Sequence, residues 1–271
     1  MRIYWLPLLL STPALSQWLH VTTAGVPRRA DGSPDLTAPA PKTAGGKPDF
    51  SGMWVARDEL PCNAKERGVQ CTELALTPQV VNIAAGLKDG LPYQPWAAEL
   101  VKTRKAELGV NDPHTHCMPP NYPRAWAFPE YQKIFQTPGE LVLLHEFNAS
   151  YRQIFFDGRG FPDDMAPAWS GYSVAHWEPD TLVVESRGFR DDNWLDTTGN
   201  PMTSAARVME RIRRPNFGSL EIEITVNDPK AYTRPWTVTM HEKALVDTEM
   251  IDFMCLENNK DIAHMKGSVK H

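Results

Sequence analysis

The sequence predicts a mainly β protein in which an antiparallel meander of strands closes into a barrel. From Tyr131 onward, short runs rich in β-branched and aromatic residues are separated by turn residues. Clear turn sequences include Thr137-Pro-Gly139, Asp157-Gly158 and Asn227-Asp-Pro229. A meander with this many strands tends to close on itself, because closure removes its exposed edges.

Nine strands are predicted in this region, near residues 131–136, 140–147, 150–156, 171–178, 181–186, 206–214, 219–226, 235–241 and 248–255. An earlier strand is predicted at Phe50–Trp54, where the globular part begins. Residues 205–213 also fit a helix that follows Ser204, since their apolar residues recur at helical spacing. We prefer the strand interpretation for this segment.

A helical insertion is predicted near residues 78–109, packed outside the barrel. Thr77-Pro78 and Pro95-Trp96 each place a proline at the first position of a helix. On the second helix, one face collects apolar side chains, those of Ala97, Leu100, Val101 and Leu108. Residues 50–271 are therefore expected to form a single β-barrel domain with one or two helices on its outside.

The first 16 residues predict a secretory signal peptide. Arg2 precedes the apolar run Ile3–Leu10, which is followed by small residues up to Ser16. A buried N-terminal strand is the alternative interpretation. Residues 17–49 are rich in Pro, Gly, Ala and Thr and predict an extended arm over the surface of the domain. The protein is accordingly expected to be exported, to the periplasm or the extracellular space.

Composition and charge exclude several classes of partner. The chain has 271 residues, 42% of them hydrophobic, and a net charge of −5. Its Lys and Arg residues are scattered among Asp and Glu, so nucleic-acid binding is not expected. Beyond the N-terminal run, no stretch approaches the roughly 20 apolar residues of a membrane span. A small organic molecule is the expected partner, and no cofactor is predicted.

The four cysteines are expected to be oxidised if the protein is exported. Cys62 and Cys71 enclose a short polar loop that suits a local disulfide, which leaves Cys117 and Cys255 for a long-range one. The other two pairings and free buried thiols remain open.

Several motifs resemble a large family of exported, functionally uncharacterised bacterial proteins. The resemblance covers about the last four-fifths of the chain and rests on Pro48–Trp54, Cys117–Pro120, Tyr151–Arg159, Trp169–Glu178, Asp180–Glu185 with Gly188-Phe189, and Glu221–Pro229 with Tyr232 and Pro235-Trp236. It implies a lipocalin-like barrel and brings no established reaction or cofactor. Family members often have histidines where this chain has Met202 and Arg207. A function served by those histidines would be lost or moved here.

His114 and His116, flanked by Asp112 and Cys117, form the densest group of potential metal ligands in the sequence. Two histidines two residues apart on a strand would point the same way and could bind zinc, iron or copper. A solvated loop is the alternative, because the segment lies among prolines and a cysteine in a disulfide cannot bind a metal.

His145, His176 and Glu210 are the candidate catalytic residues. Each histidine lies in an otherwise apolar predicted strand. Alternation along residues 206–214 places Glu210 on the inward face, where burial favours a general acid or base. The alternative for Glu210 is an ion pair with Arg152 or another arginine that only stabilises the barrel.

The candidate ligand-binding residues are polar or aromatic side chains expected near the mouth of the barrel: Arg152, Asp157, Arg159, Trp169, Tyr172, Trp177 and Trp194. Arg159 is expected to meet an anionic group of the ligand. The same aromatic residues could equally belong to the core.

Three functional hypotheses follow from these observations. The first is a barrel that binds a small, partly apolar or aromatic molecule, with cofactor-free lyase, isomerase or hydrolase chemistry if it is an enzyme. The second is a metal-dependent enzyme using His114 and His116. The third is a non-enzymatic envelope protein whose Pro-rich arm docks a partner.

Overall fold

A computed structural model describes residues 21–57 and 78–257 of the chain. Within these residues lie two α-helices, α1 (Pro78–Val81) and α2 (Pro95–Ala106). The same part of the chain forms eleven strands: β1 (Gly52–Ala56), β2 (Gln132–Gln136), β3 (Glu140–His145), β4 (Ser150–Phe155), β5 (Tyr172–Glu178), β6 (Thr181–Arg187), β7 (Asn193–Trp194), β8 (Pro201–Met202), β9 (Arg207–Asn216), β10 (Ser219–Asn227) and β11 (Trp236–Leu245). No helix in the described ranges has the length and apolar character needed to cross a membrane.

Nine of these strands form a closed barrel, in the order β1-β11-β10-β9-β6-β5-β4-β3-β2. Strand β1 closes it, because Trp54 pairs with Ala244 of β11 on one side and with Gln132 of β2 on the other. The predicted mainly β barrel is thus confirmed. Strands β7 and β8 form a separate two-stranded sheet within the connection from β6 to β9.

The barrel is mixed rather than wholly antiparallel. Strands β4 and β5 run parallel and pair at Ile154 with Ser173 and at Phe155 with Val174. Parallel neighbours need a connection that returns the chain to the same end, and residues 156–171 provide it. The antiparallel arrangement predicted for these two strands was therefore wrong, although Gly158 of the predicted turn does adopt a positive φ of 90°.

The strand predicted at 248–255 is absent from the barrel. Strand β11 continues to Leu245, and β1 already occupies its second edge, so no edge remains for a further strand. Residues 246–257 instead lie outside, where Phe253 forms an isolated bridge with Phe147. The predicted Cys117–Cys255 disulfide is confirmed there. Cys62, Cys71 and the predicted signal peptide lie outside the described residues.

Every second side chain of β9 and β10 points into the barrel and fills its interior. Along β9, Val208, Glu210 and Ile212 are buried while Arg207 and Arg213 are exposed. The segment that also fitted a helix is therefore a strand, because the arginine-bearing face is the one that water can solvate. On β10 the buried side chains are Leu220, Ile222, Ile224 and Val226.

A 3₁₀ helix at Arg124–Ala127 follows the helical insertion and places Trp126 in the barrel interior, where it is completely buried and hydrogen-bonds Glu210. Helix α2 begins at Pro95 as predicted and buries Ala97 and Val101. Leu108 was expected on that buried face, but it is 93% exposed. The helix ends at Ala106, so helical spacing no longer determines where Leu108 points.

The described part of the arm forms two similar turns. Asp35 donates its backbone N–H to Pro27 at 2.7 Å, and Asp49, fourteen residues later, donates to Pro41 at 2.9 Å. The arm lies against the turn between β9 and β10, where Gly218 donates its backbone N–H to Leu36 at 2.8 Å. The arm thus contains a repeated turn structure.

Candidate functional site

A cleft of about 520 Å³ opens in the barrel wall between β4 and β5. These two strands pair over two residues each, and the cleft lies beside the rest of β4 and the segment that leads into β5. The cleft arises from the parallel crossover, because the returning chain pairs with β4 only at Ile154 and Phe155, the last two residues of that strand. Three of the predicted ligand-binding residues, Arg152, Trp169 and Tyr172, line it.

Aromatic side chains line the outer part of this wall cleft. Trp169, Tyr172, Tyr151 and Phe155 all contribute to its surface. Tyr172 packs on Phe155 with ring centroids 5.3 Å apart. Asn193 holds the Trp169 segment in place by donating from Nδ2 to the backbone oxygen of Trp169 at 3.0 Å. These rings offer an apolar surface that part of a ligand can contact.

The inner end of the cleft is polar and consists of Arg152 and Ser173. Arg152 donates from Nε to Ser173 Oγ at 3.3 Å and from Nη2 to Ser186 Oγ at 3.0 Å. The two hydroxyl groups lie 2.8 Å apart. Side-chain hydrogen bonds thus connect β4, β5 and β6 on the inside of the barrel. They lie beside the two-residue stretch over which the backbones of β4 and β5 pair.

Glu210 reaches Arg152 from the opposite side of the interior. It accepts a hydrogen bond from Trp126 Nε1 at 2.6 Å and one from Arg152 Nη1 at 3.0 Å on the same carboxylate oxygen, Oε1. Its Oε2 accepts from Arg152 Nη2. The Glu210 side chain has no exposed surface, so the bidentate ion pair is buried. A stabilising ion pair with Arg152 or another arginine was the alternative to a catalytic role that the sequence allowed for Glu210, and the structure has this ion pair.

Tyr122 extends the buried polar network. The guanidinium group of Arg152 lies 4.5 Å from the centroid of the Tyr122 ring. The Tyr122 hydroxyl donates to Gln132 Oε1 at 2.7 Å. Burial raises the pKa of Tyr122 well above its usual value of 10.0. The hydroxyl therefore stays protonated and acts as a donor, and the ring holds Arg152 by a cation–π contact.

The two candidate catalytic histidines lie on opposite faces of the barrel wall. His145 is buried on the inward face of β3, and its Nδ1 accepts a hydrogen bond from the backbone of Phe147 at 3.3 Å. Burial lowers the pKa of His145 to about 3, with a smaller contribution from His114. The His176 side chain is 67% exposed and lies 3.7 Å from Glu178. The structure does not bring the two histidines together, and neither lines the wall cleft.

The other predicted ligand-binding residues do not line the wall cleft, although the guanidinium carbon of Arg159 lies 3.9 Å from the ring centroid of Phe155, which does. Asp157 and Arg159 form an exposed ion pair with each other at 2.5 Å. Trp177 stacks on Phe50 at 5.5 Å between ring centroids, and Trp194 is buried beneath the guanidinium group of Arg104. The anion contact expected of Arg159 is already made, by Asp157.

His114 and His116 occupy a 3₁₀ helix at Pro113–His116 rather than a strand. The His114 ring lies 4.1 Å from the Phe147 ring and 4.5 Å from the Phe128 ring, centroid to centroid. His116 hydrogen-bonds through Nε2 to the backbone oxygen of Val110 at 2.9 Å. Over residues 21–57 and 78–257, no group of three or more His, Cys, Asp or Glu side chains is arranged to hold a metal ion.

Five residues of this network were not identified from the sequence: Ser173, Ser186, Trp126, Tyr122 and Gln132. Alternation along β5 carried a signal for Ser173, since it shares the inward face with Ala175. The two aromatic residues carried no such signal, because Tyr122 lies in irregular chain between Pro120 and Pro123 and Trp126 lies in a short 3₁₀ helix.

Comparison with known proteins adds no family to this picture. No protein-family model matches the chain, and no curated protein is significantly similar to it. The family resemblance therefore stays a prediction, and the geometry of the wall cleft has to support any functional conclusion.

Proposed function

We propose that this protein binds a small, partly apolar or aromatic organic molecule in the wall cleft between β4 and β5. The observation that supports this most directly is the juxtaposition of an aromatic outer surface with a fixed polar inner end, at Arg152 and Ser173. Ligand sites commonly combine an apolar lining with a few well-placed polar groups, and a volume of about 520 Å³ lies within their usual size range.

The polar end of the cleft is preorganised. Arg152 is held by Glu210, by two serine hydroxyl groups and by the Tyr122 ring. A ligand that reaches it meets donors that are already oriented, so little side-chain entropy is lost on binding. The Glu210 ion pair accordingly serves as support for the site.

Binding is favoured over acid–base catalysis by the state of the polar groups. Both oxygens of Glu210 already accept hydrogen bonds, two from a guanidinium group and one from an indole. Ser173 contacts Arg152 and Ser186, and neither group accepts a proton at neutral pH. Turnover by His145, His176 or Glu210 stays a separate prediction.

The Cys117–Cys255 disulfide supports the proposal that the protein works outside the cytosol, after export. Structural disulfides persist in oxidising compartments, whereas the cytosol keeps most thiols reduced.

The binding proposal is tested with N-phenyl-1-naphthylamine, an uncharged aromatic amine whose fluorescence rises in apolar surroundings. Trp169→Ala removes a large part of the aromatic surface and is expected to weaken binding about tenfold. Trp96→Ala is the matched control, because Trp96 is 47% exposed on α2 and does not line the cleft. Equal binding by the two variants, with their fold retained, would remove the cleft as the site.

A further inference from the structure

Building on the proposed function, we infer that the wall cleft selects uncharged ligands and discriminates against anions. The charge of the lining decides this. Among the described residues that form the cleft, Arg152 is the one with an ionic side chain. The other polar side chains there are hydroxyls and amides: Asn148, Ser150, Tyr151, Gln153, Ser170, Tyr172 and Ser173.

Arg152 does not offer the cleft a net positive charge. Glu210 neutralises it through two hydrogen bonds, one from each terminal nitrogen of the guanidinium group. Both side chains are almost completely buried, at 2% and 0% exposure. At this depth the attraction between the two charges is strong, because little water separates or screens them. A ligand therefore meets a neutral pair that still has donor capacity.

An anionic ligand could bind Arg152 only by displacing Glu210. The displaced carboxylate has no route to solvent from its place in the interior, and of its hydrogen bonds only that from Trp126 would remain. A buried carboxylate without its counter-charge is strongly unfavourable. A neutral hydroxyl or carbonyl oxygen can instead accept a hydrogen bond from Ser173 or Arg152 while the ion pair stays intact. The pair thus discriminates against anions while it supports neutral acceptors.

The two cations that stack on aromatic residues of the outer surface are also neutralised. Arg159 lies with its guanidinium carbon 3.9 Å from the centroid of the Phe155 ring, and it pairs with Asp157 at 2.5 Å. Arg190 lies with its guanidinium carbon 4.7 Å from the centroid of the Trp169 ring. It pairs with Asp192 at 2.7 Å, so it adds no free positive charge at the mouth of the cleft. All three arginines that contact the aromatic or polar parts of the site, Arg152, Arg159 and Arg190, are therefore paired with acidic residues.

The test compares N-phenyl-1-naphthylamine with 8-anilinonaphthalene-1-sulfonate, which has the same ring system with a sulfonate added. Titrations on the unaltered protein and on Trp169→Ala isolate the fraction of each signal that belongs to the cleft. We expect the uncharged probe to bind this site at least about tenfold more tightly than the anionic one. Equal or tighter Trp169-dependent binding of the sulfonate overturns the inference while leaving the proposed function standing. If neither probe depends on Trp169, the proposed function itself fails.

Glu210→Gln provides a second, gain-of-function measurement. Removing the counter-charge leaves Arg152 as a free cation, so affinity for the sulfonate probe should rise about tenfold or more while affinity for the uncharged probe changes little. Glu185→Gln is the matched control, because Glu185 pairs with Arg187 at 2.6 Å on the partly exposed outer side. No gain in sulfonate binding by a folded Glu210→Gln protein would contradict the inference. The comparison on the unaltered protein stays decisive if this variant does not fold.

Discussion

Arg152 and Glu210 form a bidentate buried ion pair although their strands are not neighbours. Strands β5 and β6 lie between β4 and β9 in the barrel, so the two side chains meet across the interior. The pair therefore links distant parts of the barrel wall and also fixes the polar end of the wall cleft.

Glu210→Gln should destabilise the protein by about 3 kcal/mol, because it leaves the guanidinium charge of Arg152 buried without its partner. The double variant Arg152→Leu with Glu210→Leu should recover much of that loss, since it removes both buried charges. Urea unfolding of the single and double variants measures these changes. Equal destabilisation by the single and double changes would show that the ion pair is not the reason for the loss.

The Cys117–Cys255 disulfide joins residues 138 positions apart. Chain-entropy estimates for so long a loop reach about 5 kcal/mol, and measured values often fall below them. Cys255→Ser should clearly lower the melting temperature under oxidising conditions. With a reductant present, the variant and the unaltered protein should melt at similar temperatures. A large difference that persisted in reductant would point to a packing effect of the substitution.

His145 should make the protein less stable in acid. Burial lowers its pKa from 6.5 to about 3 in the folded protein, so between those values the unfolded chain binds a proton that the folded chain does not. The stability that the neutral ring provides is present above pH 6.5 and is lost as the pH falls toward 3. His145→Gln should therefore reduce the slope of unfolding free energy against pH, by up to about 1.4 kcal/mol per unit in this window. Urea unfolding between pH 4 and about pH 7 measures it. An unchanged slope would contradict the assignment.

Glu130, unlike His145, should make the protein less stable as the pH rises. Burial raises its pKa from 4.5 to about 7, with Glu146 adding to the shift and Arg124 opposing it. The folded protein thus retains a proton that the unfolded chain has lost, and the contribution to stability falls as the pH rises from 4.5 to about 7. Glu130→Gln removes this dependence, so its stability relative to the unaltered protein should increase across that range. A constant difference between the two proteins from pH 4.5 to pH 7 would show that Glu130 titrates normally.

The sequence by itself determined the local features of this protein. Two-residue alternation along 207–213 identified the inward side of β9, and therefore the burial of Glu210, because solvation of Arg207 and Arg213 depends only on which face they share. The position of the second helix and the pairing of Cys117 with Cys255 were likewise predicted.

Only the tertiary structure decided which strands became neighbours. The parallel placement of β4 beside β5, and the closure of the barrel by β1, depend on contacts between residues far apart in the chain. Those contacts produced the wall cleft and excluded the strand predicted at 248–255. They also gave Glu210 its partner, which sequence alternation could not select among several arginines. Alternation reports the side to which a residue points, whereas the partner across a barrel interior depends on the order in which the strands assemble.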